Sequence, residues 1–489
     1  MLINSIILRR IANECAVRSH ILVIILLFIS TIPSWILLLR PEANLWAFYD
    51  AKIHIIRSFF LDTLLRDSIW YPKWMPDQYG GYGYPTLYFY APLVYYIIVI
   101  INRITGNVIN IYLIYLYVLA TCVLFVAISN YCLILSIVHK KYLALVAAIF
   151  VLYSPSILMP TIYVSGSLPQ IFGLSLILWV FRAIYQFWNS GNLFTATIVI
   201  TSAILLLLSH GISSILAAII SCVWISMLLY QSRDCNKIPR YVLLGALILG
   251  LAAFFWFPSI ASVRYVQTER LQLGALNYHN WFTIWPGYAP PAWGAQWRSR
   301  FTSGFPIDLH VIYPHTNDGP PRLSLWQAGI VLLSTLYLVY IILSGQWRAN
   351  RKINIILLFV VIVTWLFWSQ QFDWAIYYWE NYPILQLLQM PSRLFVIIAI
   401  MIGIQLAILG SKIPEKYDQY AKAACAPILI LIIYTGTDGL ITPQVDLNIH
   451  DSNHVIIDMI ERTEPGYTAS TNEFLPRTAW YETYLDGEA

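Results

Sequence analysis

Asp50 and His54 stand four positions apart, so on any helix that contains both they share one face, with Arg57 a further turn along it. A carboxylate beside an imidazole makes a base with its orienter, or half of a site for a divalent cation such as Mg2+ or Mn2+. The same spacing also fits a solvated polar face on a helix lying flat at an interface, with Ile53, Ile56, Phe60 and Leu64 turned to lipid. Downstream, Tyr79-Gly80-Gly81-Tyr82-Gly83-Tyr84-Pro85 interleaves glycine with tyrosine, which lets the backbone approach a flat ligand that Tyr82 and Tyr84 can stack on, as sugars require. Interfacial anchoring is the competing use of those rings. Arg393 offers a forked donor pair for a phosphate, as do Arg264, Arg270, Arg298, Arg300 and Arg322, set against ordinary snorkelling to headgroups. Trp281, Trp285, Trp293 and Trp297 recur at steps of four or its multiples, but Pro286, Pro290 and Pro291 interrupt the run. A lid, a saccharide platform and a buried core all fit it. His210 precedes Gly211 at a span end, facing a cavity or packed and hydrogen-bonded, whereas His279, His310 and His315 have no metal-ligand spacing.

The elements that position these residues can be read from composition. Of 489 residues, 59% are apolar or aromatic and 11% charged, with a mean hydropathy of +0.66. Soluble domains run at about 45–50% apolar and 25% charged, so a soluble enzyme is excluded, and lipid must be the solvent for most of the chain. Disorder, collagen-like repeats and nucleic-acid partners fall as well, because glycine and proline are ordinary and the net charge of +5 is not gathered into one basic run. A hydrocarbon core of about 30 Å asks for about 20 apolar helical residues. Eleven such runs are predicted, at 21–39, 111–138, 142–159, 169–181, 194–209, 212–230, 241–263, 324–344, 353–369, 394–410 and 423–434. The first comes after Arg9, Arg10 and Arg18 without a small-residue cleavage site and reads as a retained anchor. A further apolar run at 87–101 is short, contains Pro92, and reads as a re-entrant or interfacial helix.

If that run does not cross, 15 of the 29 basic residues fall on one side in short turns, which makes that side and the N-terminus cytoplasmic. Long outer segments then lie at 40–110, 264–323 and 370–393, followed by an extracytoplasmic tail at 435–489 after a transmembrane domain of residues 1–434. They hold 20 of the 24 acidic residues and none of the six cysteines, so a disulfide framework and a CxxC metal site are both excluded there. No span core carries Asp, Glu, Lys, Arg or His, which argues against an ion-coupled pump, since such machines keep costly charges at mid-membrane. Chemistry is therefore expected at the outer membrane face.

Asp50-x-x-x-His54, Tyr71-Pro72-Lys73-Trp74, Gly80-Gly81-Tyr82-Gly83-Tyr84-Pro85 and Tyr90-Ala91-Pro92-Leu93 together resemble the first-loop signature of a prokaryotic multi-spanning family often labelled 6-pyruvoyl-tetrahydropterin synthase-related membrane proteins. Ser209-His210-Gly211, Gln389-Met390-Pro391-Ser392-Arg393 and Glu473-Phe474-Leu475-Pro476 extend the resemblance over most of the chain. It implies an all-α GT-C-like bundle, similar to glycosyltransferases that take sugars from polyprenyl-phosphate carriers. It also implies that Asp50, the acidic residue of the first outer loop, is the base or cation ligand. In relatives the Glu-(Tyr/Phe)-Leu-Pro motif leads into an outer soluble domain. Where the family often shows Arg-Gly-(Ser/Ala)-x-x-Glu, this chain has Ser165-Gly166-Ser167-Leu168-Pro169-Gln170, so a cation and an acid are missing from a loop that would face the site.

The resulting expectation is a multi-pass cell-membrane glycosyltransferase. It would move a sugar from a polyprenyl-phosphate donor to a glycan, lipid or protein acceptor at the extracytoplasmic face. Asp50 and His54 would be catalytic or hold the cation, while Arg393, Arg57, His210, Gln170, Tyr82, Tyr84, Trp281 and Trp285 would contact substrate. Two rivals remain: a non-catalytic membrane subunit or scaffold keeping the fold, which the altered Ser165 and Gln170 favour, and a lipid-carrier flippase or uncoupled transporter.

Overall fold

The computed structural model describes residues 21–39, 50–78, 81–268, 278–282 and 323–437. Helix dominates, and Met75 and Tyr84 form an antiparallel bridge of strand type. In chain order the helices are α1 (Ile21–Leu39), α2 (Ala51–Arg66), α3 (Leu93–Ile104), α4 (Ile111–Val138) and α5 (Lys141–Leu152). Next come α6 (Leu168–Ser190), α7 (Leu193–Leu207), α8 (Gly211–Ser232), α9 (Ile238–Leu251) and α10 (Ala253–Ser262). The last are α11 (Leu325–Leu343), α12 (Arg351–Ser369), α13 (Phe395–Ser411) and α14 (Asp418–Thr437).

Eight of the described helices are long and apolar enough to cross a membrane: α1, α4, α6, α8, α11, α12, and α13 and α14 with their leading turns. The run at 241–263, predicted as one span, is a pair instead, since α9 and α10 with their flanking turns meet at 73°. Trp256 Nε1 caps the break by donating to Leu249 O at 2.8 Å, which satisfies a carbonyl at the end of α9. Two other predicted spans are short: α5 has 12 residues and α7 has 15. Pro155 bars Ser154 from helical geometry, which explains why α5 stops at Leu152.

Helix starts are written in the sequence. The Asn110 side chain accepts from Leu113 N, Asn192 from Thr195 N, and Ser324 with Gln327 forms a reciprocal capping box. Lipid gives helices no hydrophobic reason to associate, so close packing and polar contacts do that work. A Cβ on Gly403 of α13 would collide with Val151 Cγ2 of α5, an approach only glycine permits. Gln405 of α13 donates to Thr364 Oγ1 of α12 at 2.8 Å, and Gln327 of α11 donates to Ser154 Oγ at 2.8 Å. The centre of the bundle is α6 and α13, each 78% buried over its apolar window, whereas α11 and α14, at 28% and 22%, expose most of theirs. Side chains such as Leu332, Leu333, Ile430 and Leu431 then face outward as lipid requires.

The segment from α2 to α3 has its own small core. Ile56, Phe60, Leu61, Leu64 and Leu65 of α2 pack with Met75, Leu87, Tyr95 and Val99. Asp62 locks α2 to α3, accepting from Arg66 at 2.8 Å and pairing with Arg103 at 3.2 Å. The interfacial alternative for α2 therefore fails: Ile53, Ile56, Phe60 and Leu64 are buried in protein, and so is the polar face that carries His54 and Arg57.

Candidate functional site

Asp50 is the residue before the first turn of α2, and it is half-buried. Its backbone N–H donates to Ser165 O at 2.9 Å, and Ser165 Oγ donates to Asp50 Oδ2. Ser165 can reach it because residues Leu158–Ser165 form a π-helix that ends at Gly166, whose φ of 63° is left-handed. Tyr115 of α4 fixes that corner, donating to Gly166 O at 2.8 Å and accepting from Leu168 N at 3.3 Å.

One turn into α2, His54 is 3% exposed. Its Nδ1 lies 2.8 Å from the Tyr95 hydroxyl, and its Nε2 lies 3.4 Å from Ser167 Oγ. Arg57, also 3% exposed, donates from Nη1 to the same Tyr95 oxygen at 3.4 Å and stacks 4.6 Å above the Tyr90 ring. Arg57 only donates, so Tyr95 accepts from it and is left to give its own proton to His54 Nδ1. That leaves the His54 proton on Nε2, toward Ser167. Burial first, then the Arg57 guanidinium, then His210 hold His54 well below the usual imidazole range, so it is neutral at physiological pH. Burial likewise pushes the Tyr90 hydroxyl up, keeping it protonated.

Arg393 lies on the turn Pro391–Leu394 that leads into α13. Gln371 braces this turn by donating to Pro391 O at 2.9 Å. The Arg393 guanidinium lies within electrostatic reach of Asp50, Tyr90 and His210. It makes no ion pair with Asp50, and its buried Nη1 has no hydrogen-bond partner among the described residues. His210 caps α8, its Nδ1 accepting from Ser213 N at 3.3 Å and lying 2.7 Å from Ser213 Oγ. Burial, with Arg393 nearby, lowers its pKa to about 3.

Asp50, His54, Arg57, His210 and Arg393, drawn from three separate stretches of sequence, therefore share one polar cluster. It does not have the internal pairing that spacing suggested. Asp50 is partnered by Ser165 and not by His54, and both nitrogens of His54 are turned to protein hydroxyls. His54 is thus poorly placed to ligate a cation, and among the described residues no group of three His, Cys, Asp or Glu side chains could hold one.

The other expected substrate contacts are placed apart. Tyr82 is 83% exposed, while Tyr84 is fully buried and exchanges main-chain hydrogen bonds with Met75. Tyr84 therefore holds the loop together and offers no ring face. Gln170 is half-exposed in the first turn of α6. Trp281 belongs to the single turn Tyr278–Trp281, which packs on the Arg393 turn and, through Tyr278, on Trp379 of the short helix Ile376–Asn381, rings 5.6 Å apart. In that turn His279 meets Glu380 at 3.1 Å. Trp285, Trp293, Trp297, the arginines at 270, 298, 300 and 322, and the tail lie outside the described residues. Sequence reasoning missed Ser165 and Ser167, reading their loop only for the charges it lacks, and missed Tyr95 and Tyr115, which look like ordinary apolar-helix tyrosines.

Comparison with known proteins agrees with this architecture. No curated protein sequence matches. The fold is similar to that of the Archaeoglobus fulgidus oligosaccharyltransferase in its apo form (TM-score 0.51, 12% identity, covering 95% of this chain and 62% of that one). The same enzyme tethered to an acceptor peptide containing the NVT sequon matches equally (TM-score 0.51, 14% identity, 95% and 61%). So does AglB from that organism in complex with an inhibitory peptide and a dolichol-phosphate (TM-score 0.51, 12% identity, 95% and 62%). The chain thus spans less than two thirds of these relatives, and at such identities the likeness speaks for the fold. Residues 87–271 match the family described as the 6-pyruvoyl-tetrahydropterin synthase related domain, a membrane protein, in line with the resemblance that the motifs carried, and the bundle is similar in fold to the oligosaccharyltransferase.

Proposed function

We propose that this protein is a membrane glycosyltransferase that moves a sugar from a polyprenyl-phosphate-linked donor to an acceptor at the extracytoplasmic face. One observation carries the reading: Asp50, a half-buried carboxylate, lies within electrostatic reach of Arg393, whose buried Nη1 has no partner among the described residues. A buried donor without a partner costs about 1–3 kcal/mol, and a lipid phosphate arriving at headgroup depth would satisfy it. In this mechanism Arg393 binds the donor phosphate and stabilises it as it leaves. Asp50, held in place by Ser165, accepts the proton of the acceptor hydroxyl as that oxygen attacks the anomeric carbon. His54, neutral and fixed by Tyr95 and Ser167, is a positioning residue for α2. Alternatively Asp50 would hold a divalent cation, Mg2+ or Mn2+, which would supply charge neutralisation for the phosphate. That the oligosaccharyltransferase neighbour binds a dolichol-phosphate supports a lipid-linked donor here.

The topology belongs to the same proposal. Eight long helices, the bent α9–α10 pair and the short α5 and α7 make eleven crossings, α3 is the re-entrant or interfacial element, and the N-terminus is cytoplasmic. The non-catalytic scaffold is kept as a second reading because Oδ2 of Asp50 and both nitrogens of His54 are engaged by hydroxyls, as in a structural polar core. The test is purified protein with radiolabelled polyprenyl-phosphate sugars and a panel of acceptors, wild type against Asp50→Asn. Transfer that survives the substitution removes Asp50 as base or ligand, and no transfer with any donor favours the scaffold.

A further inference from the structure

At the far end of α6 from the candidate site, two basic side chains line a cavity and a third, Lys352, bonds to one of its lining residues. α6 begins at Leu168, next to the Ser167 that faces His54, and its 23 residues carry the chain about 33 Å to Gly191 at the other end. There Phe187, Trp188, Gly191, Lys237, Arg240 and Tyr241 line a cavity of about 130 Å³. A single water takes about 30 Å³, so the space holds something larger. Lys237 Nζ sits 4.0 Å over the Trp188 ring and donates to Trp188 O at 3.4 Å. Lys352, arriving from a third turn of the chain, donates to Asn189 Oδ1 at 3.2 Å. Arg240 is admitted by Gly191, where an added Cβ would stand 3.3 Å from Nη1. Among the described residues no carboxylate pairs with Lys237, Arg240 or Lys352. The buried Tyr241 hydroxyl, its ring stacked on Trp188 at 6.1 Å, likewise has no partner there.

We infer that this cavity is a binding site for the phosphate headgroup of an anionic membrane phospholipid, held by Lys237, Arg240 and Lys352 and by a hydrogen bond from Tyr241. Unpaired cations around an open space with a hydroxyl to spare are the chemistry of a phosphate site. The surroundings choose a lipid over a free anion. Leu193, Phe194, Val242 and Leu243, immediately beside the cavity, are exposed apolar side chains on which acyl chains can lie, and Trp188 and Tyr241 are the amphipathic rings found at headgroup level. The site stands at the opposite end of the bundle from Asp50, so its failure leaves the proposed reaction untouched.

The test is native mass spectrometry of the full chain in mild detergent, titrated separately with phosphatidylglycerol, phosphatidylcholine and inorganic phosphate. Wild type should retain one phosphatidylglycerol and no phosphatidylcholine. Lys237→Gln, Arg240→Gln and Lys352→Gln should each weaken retention about fivefold. Tyr241→Phe, which keeps the ring stack and guards against a basic-residue variant that fails to fold, should weaken it about two- to tenfold. Equal retention of both lipids, or undiminished retention by the triple glutamine variant, would overturn the inference. Inorganic phosphate displacing the lipid at equal concentration would show a free-anion site and overturn it too.

Discussion

Replacing Arg393 by lysine separates a phosphate-binding role from a packing role, because the two make opposite forecasts. The substitution keeps the positive charge and most of the stem but removes the forked donor pair that includes the partnerless Nη1. A hydrogen bond to a charged group is worth about 1.5–3 kcal/mol, so loss of one prong should weaken binding of a polyprenyl phosphate about 10- to 150-fold. Stability should move little or rise, since a sealed donor with no partner among the described residues costs the fold and lysine removes it. The assay is titration of the purified variant with polyprenyl phosphate, alongside its thermal unfolding in the same detergent. Unchanged affinity would refute the phosphate role. A melting temperature that falls while affinity holds would show that Arg393 is a packing residue, and the reading of the site would fail with it.

The serine clamp on Asp50 gives a second forecast: Ser165→Ala should lower transfer about 10- to 100-fold while leaving donor affinity unchanged, read from kcat and KM separately. Gly403→Val should cost about 1–3 kcal/mol through overpacking against Val151, read as a lower melting temperature, and an unchanged value would contradict the close approach of the two helices. For pH, His210 in the folded state titrates at about 3, below its ordinary value of about 6.5, so its neutral form stabilises the fold above that value. As pH falls from about 6.5 toward 3 the unfolded chain takes up a proton that the folded chain refuses, and stability is lost. His210→Asn, which can still cap α8, should flatten the acid limb of the melting curve by about one proton, and an identical limb would remove His210 as its source.

Long apolar runs made α4, α6, α8, α12 and α13 legible, because lipid demands length and apolarity and both are written locally. The shared face of Asp50, His54 and Arg57 was legible for the same reason, since helical spacing is local. Contact partners were not. Ser165 lies 115 positions from Asp50, and no period in either segment says that a π-turn will carry its hydroxyl there. Hydropathy sees composition but not direction, so the run at 241–263 read as one rod although it turns sharply near Ala252. Arg393 was singled out as a headgroup-level cation, but its approach to Asp50 is a property of how α13 packs, which Gly403 sets by backbone contact with α5.

The π-turn before Gly166 has a consequence for chain length. Each residue added to or taken from a helix rotates the downstream chain by about 100° and shifts it about 1.5 Å. Ser165 holds Asp50 and Ser167 holds His54 from either side of a single left-handed glycine. A one-residue deletion within 158–165 would therefore swing both hydroxyls off their targets together, even if no named side chain were changed. Surface connections usually absorb insertions and deletions without harm. This one, threaded between α5 and α6, should behave as a ruler, in which the number of residues matters more than the identity of most of them.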